Sequence, residues 1–100
     1  MVKQIRLDEE KINVNNFRSE EMYDKKSGKK IKKVIADFKV SNEDYHRVTT
    51  LLYRMTFTVR VLERELEFKG TISNYSTSFT NLYKEGAVGD FHLELIEVID

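Results

Sequence analysis

The chain has 100 residues, of which 34% are charged and 40% are hydrophobic, and its formal net charge at pH 7 is zero. This balance is typical of a folded protein and not of a disordered one, so we expect a single domain over residues 1–100. The absence of cysteine excludes disulfides, thiolate metal sites and a cysteine nucleophile. No apolar run reaches membrane-spanning length and the N-terminus lacks an apolar signal region, so we predict a cytoplasmic protein with no membrane partner.

In the N-terminal part of the chain, apolar residues alternate with polar ones, which is the pattern of half-buried strands. Ile5 and Leu7 predict a short edge strand, and Ile12 and Val14 predict a second strand. Residues 25–30 contain a Ser-Gly dipeptide and predict the tip of a hairpin. The strand after this tip has four apolar residues at every second position: Val34, Ala36, Phe38 and Val40.

A single helix is predicted near residues 41–55. Ser41 is a suitable N-cap, and Glu43 and Asp44 would lie in the first turn, where the helix dipole favours negative charge. Apolar residues then recur at steps of three and four, which predicts one apolar stripe. The residues of this stripe are Tyr45, Val48, Leu51, Leu52 and Met55.

After the helix, the apolar period changes from that of a helix to that of a strand. Residues 57–61, 66–72 and 91–95 each alternate and predict three further strands. The apolar phase then shifts at Ile96, which indicates either a β-bulge near that residue or a last strand buried on both faces.

This order of elements predicts a mainly β, α+β fold. We expect an antiparallel sheet of about six to seven strands, bent or barrel-like, with the helix covering one end or one face. No alternation of strands with helices supports a parallel sheet.

The segment 73–90 is polar and aromatic, and it is the best candidate for a binding surface. Aromatic rings offer contact area at low entropic cost, and hydroxyl groups offer adaptable hydrogen bonds. A loop that packs on itself is the alternative, and a loop, a short helix or a strand extension are all compatible with the spacing. The candidate binding residues are Asn74, Tyr75, Ser76, Phe79, Asn81 and Tyr83.

Four lysines at the predicted hairpin tip form a candidate basic patch: Lys25, Lys26, Lys29 and Lys30. Such a patch could contact phosphates. We favour the alternative, a solvated hairpin whose lysines discourage edge pairing. No arginine or aromatic residue is interleaved for base stacking, so we expect no nucleic-acid partner.

The two histidines, His46 and His92, are not in the spacing of a metal site, so we predict no metal and no cofactor. An enzyme would use His92 as a base, Asp90 or Glu94 to orient it, and a serine as nucleophile, with Ser76 and Ser78 as the candidates. No sequence motif requires this arrangement, and we assign no catalytic residue.

One set of residues in the second half of the chain forms a pattern that is shared with a known family: Phe57, Val59, Val61, Arg64, Leu66, Phe68, Gly70, Asn74 to Ser78, Thr80 to Tyr83, and Gly86 to Val88. Through these residues the chain resembles the YkvR-like family of small uncharacterised proteins of Bacillus and its relatives. The resemblance runs from about Val34 to Val98 and fades in the N-terminal third. It implies a compact, mostly β, barrel-like domain with one helix, and it implies no activity.

From the sequence we therefore expect a non-enzymatic binding or interaction module whose contact surface is the 73–90 segment. Its partner would be a protein or a small ligand. The alternatives are a small enzyme centred on His92 and a structural homo-oligomer formed through sheet edges, so the chain would be a monomer or a weak homodimer.

Overall fold

The computed structural model of the chain describes residues 2–78 and 86–99. These residues form seven strands in one sheet, one α-helix and a 3-10 turn over Leu62–Arg64. In chain order the elements are β1 (Gln4–Leu7), β2 (Glu10–Asn13), β3 (Asn16–Tyr23), β4 (Lys30–Ser41), α1 (Tyr45–Leu52), β5 (Thr56–Val61), β6 (Leu66–Ser78) and β7 (Val88–Glu97).

The strands lie side by side in the order β2-β1-β5-β6-β7-β4-β3, and every neighbouring pair is antiparallel. The two edge strands, β2 and β3, are joined by Val14 and Asn15 alone, so the sheet must bend until its edges meet at this corner. There the N–H of Val14 donates to the carbonyl of Lys3 at 2.9 Å, and the N–H of Asn15 donates to that of Asp37 at 2.7 Å. The predicted bent antiparallel sheet with one helix is confirmed. It is not closed into a barrel, because β2 and β3 do not pair with each other in the described part of the chain.

The core lies on the inner face of the bent sheet. Phe38, Phe57 and Phe91 are its largest fully buried side chains, and the rings of Phe38 and Phe91 are 5.4 Å apart. The helix contributes its three buried residues Val48, Leu51 and Leu52 to this core. Each such side chain stabilises the fold by about 1.5–3 kcal/mol through removal of apolar surface from water.

Two local predictions are corrected by the structure. β1 is not an edge strand: it pairs with β2 on one side and, through Arg6 and Leu7, with β5 on the other, which is why Ile5 is fully buried. The helix begins at Tyr45, because Ser41 is the last residue of β4. The Oγ of Ser41 accepts a hydrogen bond from the N–H of Asp44 at 3.3 Å, and this contact closes the turn that precedes the helix.

The β-bulge predicted near Ile96 lies instead on the neighbouring strand. Between Ile72 and Asn74, strand β6 has one residue more than β7, so Ser73 is the bulged residue. Ile96 keeps its partner Thr71 and is half-buried on the outer face, which accounts for the apolar shift in the sequence. Because side chains alternate along a strand, one extra residue exchanges the faces of everything that follows it.

Candidate functional site

Strand β6 extends past the end of its neighbour β5 and leaves an edge that is open among the described residues. The pairing of β5 with β6 ends at Thr71, and one further hydrogen bond joins the N–H of Ile72 to the carbonyl of Met55 at 2.9 Å. Over residues 73–78, β6 is paired with β7 on one side, and no described strand lies on the other. Of the loop, the short helix and the strand extension that the sequence left open, residues 73–78 therefore adopt the strand extension, as the last part of β6.

The Ser73 bulge determines which backbone groups face this open edge. In an antiparallel ladder, alternate residues direct both their N–H and their C=O to the same side. Ile72 directs its N–H toward β5, and the bulge shifts the phase by one residue. Tyr75 and Thr77 therefore direct their N–H and C=O groups to the open edge, while Asn74, with Ser76 and Ser78, bonds to β7.

A groove of about 650 Å³ lies between this edge and helix α1. A volume of this size is within the usual range of about 300–1,000 Å³ for binding pockets. None of its described lining residues is an aspartate, glutamate, lysine or arginine. The lining residues are Tyr45, His46, Thr49, Thr50, Leu52, Tyr53, Met55, Ile72, Tyr75 and Thr77.

Three tyrosines line the groove, and two of them, Tyr45 and Tyr75, pack against the core residue Phe91. The buried Phe91 is contacted edge-on by Tyr75 at 5.9 Å and by Tyr45 at 6.1 Å between ring centroids, a favoured aromatic geometry. Burial of the phenol, and then the neighbouring Tyr45 and Tyr53, raise the pKa of Tyr75 above its ordinary value of 10. Its hydroxyl is therefore a neutral hydrogen-bonding group at physiological pH.

Two exposed apolar side chains form the rim of the groove. Tyr53 is 82% exposed and Met55 is 48% exposed. Met55 also has a left-handed backbone, with φ of 67°, which costs about 1–2 kcal/mol in a residue other than glycine. Hydrogen bonds to its carbonyl from the N–H of Ile72 and the hydroxyl of Thr71 hold it there. Strain of this kind is often found at functional sites.

The structure separates the candidate binding residues of the 73–90 segment. Tyr75 lies in the groove, whereas Asn74 and Ser76 project from the outer face of the sheet. Phe79, Asn81 and Tyr83 lie outside the described residues. The helix side of the groove and Tyr53 were not identified from the sequence. The spacing of apolar residues assigns Met55 to the apolar stripe of the helix, whereas the structure places it after the helix, on the rim of the groove.

A polar cluster occupies the outer face of β4, β6 and β7. The Nδ1 of His92 is 2.6 Å from Asp37 Oδ1, and its Nε2 is 2.8 Å from Glu94 Oε2. Glu94 also accepts the Nδ2–H of Asn74 at 3.1 Å and pairs with the Nζ of Lys33 at 2.9 Å. The Glu94 and Asp37 contacts raise the pKa of His92, and the contacts with His92, Lys33 and Asn74 lower the pKa of Glu94 to about 2.

This cluster lacks the geometry of a serine hydrolase. Ser76 lies directly across from His92, but both ring nitrogens of His92 are already in contact with carboxylates. A catalytic triad pairs one histidine nitrogen with a carboxylate and the other with a serine hydroxyl, whereas here both nitrogens contact carboxylates. Asp90 is 3.5 Å from the Nζ of Lys39, and His46 is exposed on α1.

The candidate basic patch lies at the tip of the β3–β4 hairpin, where the sequence predicts it. Lys25, Lys26 and Lys29 are exposed, and Lys30 pairs with Glu21 at 3.0 Å. The turn closes through Asp24, because its carboxylate accepts the N–H of Ser27 at 2.8 Å.

Fold and groove together define a small α+β protein with one open antiparallel sheet and a cleft between a strand edge and a helix. The chain belongs to the family described as protein of unknown function DUF3219, whose model matches residues 4–100. It is similar to the uncharacterized protein YkvR of Bacillus subtilis (strain 168), with 40% identity over 87 residues, which are 87% of this chain and 91% of the relative. This confirms the resemblance inferred from the sequence. No solved structure matches the chain, and none of the described helices is long and apolar enough to cross a membrane.

Proposed function

We propose that the chain is a non-enzymatic peptide-binding module. A partner protein would add an extended segment as a new strand along the open edge of β6, with its apolar side chains in the groove beside α1. The observation that supports this function is the position of an open strand edge beside an aromatic groove that has no aspartate, glutamate, lysine or arginine among its described lining residues. Strand addition uses these two features together: backbone bonds give affinity, and pockets for alternate side chains give specificity.

The backbone of β6 offers the partner a short ladder. Tyr75 and Thr77 each direct one N–H and one C=O to the open edge, and a net hydrogen bond contributes about 0.5–1.5 kcal/mol. These bonds alone cannot offset the cost of association, which is about 4–15 kcal/mol. Burial of apolar side chains in the groove must supply the rest, at about 1.5–3 kcal/mol for each large side chain.

The shape of the groove defines the partner segment. Because side chains on one face of a strand recur at every second residue, the segment needs apolar residues at positions i and i+2. It needs no charge on that face, since no charged carboxylate or ammonium group lines the described groove. It cannot have proline where it bonds to β6, because proline lacks the N–H.

The test is a selection from a random-sequence peptide library against the purified chain, followed by affinity measurements on the enriched peptides. We expect enrichment of alternating apolar residues, and a loss of affinity of about tenfold or more when Tyr53→Ala or Met55→Gln removes a rim side chain. Tyr23→Ala and Met22→Gln are matched controls, because Tyr23 is 68% exposed and Met22 is 39% exposed on the distant hairpin. They should leave affinity unchanged.

A second measurement separates strand addition from binding of a small apolar ligand. Methylation of one peptide nitrogen at a time should abolish binding at alternate positions only, because only alternate N–H groups face β6. Absence of any enriched peptide, or enriched peptides that bind the Tyr53→Ala variant equally well, would contradict the proposal. Tyr53-dependent binding of the neutral dye Nile red without any peptide binding would identify a small-ligand site instead.

A further inference from the structure

The open edge of β3 is a second interaction surface, and we infer that it pairs with the same strand of a second copy of this chain. The two strands would run antiparallel about a two-fold axis at Ser19 and join the two seven-stranded sheets into one. This surface is separate from the groove beside α1, because β4 and β7 lie between β3 and β6.

β3 is the longer of the two sheet edges and lacks several of the features that protect an edge. It has eight residues, whereas β2, at the other edge, has four. Proteins protect such edges with prolines, bulges and charged side chains, above all lysines. β3 has no proline or lysine, and its pairing with β4 has no register shift between Asn16 and Tyr23. Its charged residues Arg18, Glu20 and Glu21 are of both signs, so they can form pairs with a second copy.

The phase of the β3–β4 ladder shows which backbone groups are available. The N–H of Asp24 donates to the carbonyl of Lys29 at 2.8 Å. This pair continues the register of the β3–β4 ladder, because it comes directly after Tyr23 and Lys30. Even-numbered residues of β3 therefore bond to β4, and Phe17, Ser19 and Glu21 direct their N–H and C=O outward. Pairing about Ser19 places two copies of Ser19 opposite each other and Phe17 opposite Glu21, which gives about six backbone hydrogen bonds, two for each facing pair.

Side-chain charge selects the register of this pairing. Facing side chains of two paired strands lie on the same face of the sheet, and a two-fold axis perpendicular to the sheet leaves each face unchanged. Even-numbered residues must therefore face even-numbered residues of the other copy, and odd-numbered residues must face odd-numbered ones. This is possible only if the axis passes through a residue and not between two residues. With the axis at Ser19, Arg18 of each copy faces Glu20 of the other, at the closely spaced positions of the ladder. With the axis at Arg18 or at Glu20, two like charges would face each other. Only the Ser19 register of these three is electrostatically favourable.

Arg18 and Glu20 already form an ion pair within one chain. The Nε of Arg18 is 3.0 Å from Glu20 Oε1 on the same face of β3. Both side chains are well exposed, at 68% and 45%. In the dimer, two such pairs would form a square of alternating charge, and ion-pair networks are more stabilising than isolated exposed pairs.

The experiment is sedimentation equilibrium over a concentration series that reaches about 1 mM, because a single strand pair forms a small and weak interface. The mass should rise from 11.8 kDa toward twice that value. Arg18→Glu and Glu20→Arg each place like charges opposite each other and should weaken the dimer by about tenfold or more, and the double exchange should restore it. Glu9→Arg, with the same change of charge in the exposed β1–β2 turn, should have no effect.

Ser19→Pro is an independent test of the backbone contact. Its N–H points away from β4, so proline at this position should leave the fold intact by circular dichroism and abolish the dimer. A wild-type chain that stays monomeric throughout the series would overturn the inference. A dimer that survives both Ser19→Pro and the single charge changes would overturn it as well, since its interface would lie elsewhere.

Discussion

His92 bridges two carboxylates, with its Nδ1 2.6 Å from Asp37 and its Nε2 2.8 Å from Glu94. Lys33 also faces the cluster, from β4, through its pair with Glu94. Because the contacts favour the imidazolium, the pKa of His92 lies above 6.5 in the folded chain, and the pKa of Glu94 falls from 4.5 to about 2. Both shifts make the stability of the fold depend on pH.

The two shifts predict a stability maximum in mildly acidic solution. The contribution of His92 is complete below pH 6.5 and is lost as the pH rises through its folded pKa, whereas that of Glu94 is complete above 4.5 and is lost as the pH falls toward 2. Thermal unfolding followed by circular dichroism at constant ionic strength measures both limbs. His92→Gln should abolish the alkaline limb and Glu94→Gln the acid limb. Each variant should also weaken the other limb, because His92 and Glu94 are the largest cause of each other's pKa shift. Wild-type stability that rises steadily from about pH 6 to pH 9 would contradict the assignment.

Gly70 occupies a position in β6 with no room for a side chain. A Cβ placed there would lie 2.9 Å from Phe68 Cε2 and 3.0 Å from Val59 Cγ2. Gly70→Ala should therefore lower the free energy of unfolding by about 1–3 kcal/mol through overpacking, as measured by urea denaturation. Gly28→Asn is the control, because Gly28 has open space around it and asparagine tolerates its positive φ. A Gly70→Ala variant as stable as the wild type would show that Phe68 can move aside.

Alternation along the sequence was sufficient to predict which side chains of β7 face the core. Phe91 is buried and His92 points outward, as the period of two requires. Glu94 was among the expected partners of His92, because the two residues share a face of one strand. Asp37 was not, since its place beside His92 depends on the register between β4 and β7, strands far apart in the sequence.

The groove could be predicted only in part for a related reason. Tyr75 was a candidate because aromatic residues are frequent in binding surfaces, but its face depends on the bulge at Ser73. A one-residue slip exchanges the two faces of a strand, and no sequence signal located that slip. Tyr53 and Met55 line the same groove because they precede β5, whose pairing with β6 ends at Thr71. The point where two strands stop pairing depends on the packing of the whole sheet and cannot be predicted from local sequence.

Met55 is predicted to be a position where stability and binding oppose each other. Its positive φ is unfavourable for methionine, and asparagine adopts that conformation more readily. Met55→Asn should therefore keep or raise the free energy of unfolding, by up to about 1 kcal/mol, while it weakens peptide binding at the rim of the groove. Urea denaturation and peptide affinity are measured on the same sample. Tyr53→Asn is the matched comparison, since it removes a rim side chain and relieves no strain. A Met55→Asn variant less stable than Tyr53→Asn would contradict this account of Met55.

Asp8 is predicted to strengthen the junction between the N-terminal hairpin and β5, next to the pairs that Arg6 and Leu7 form with that strand. Its Oδ1 accepts the N–H of Thr58 at 2.9 Å, its Oδ2 lies 3.3 Å from Arg54 Nη1, and its own N–H donates to the carbonyl of Thr58 at 3.0 Å. Its φ of 57° is also one that aspartate and asparagine tolerate better than alanine does.

Asp8→Ala should consequently lower the free energy of unfolding by about 1.5–3 kcal/mol, because the N–H of Thr58 loses a charged acceptor. Asp8→Asn keeps an acceptor oxygen and the tolerance of positive φ, so its loss should be under about 1 kcal/mol. Glu9→Ala, at the exposed neighbouring position, should change stability by less than about 0.5 kcal/mol. Urea denaturation of the three variants ranks them directly. Equal losses for Asp8→Ala and Asp8→Asn would mean that Asp8 contributes to stability through its charge and not through its hydrogen bond to Thr58.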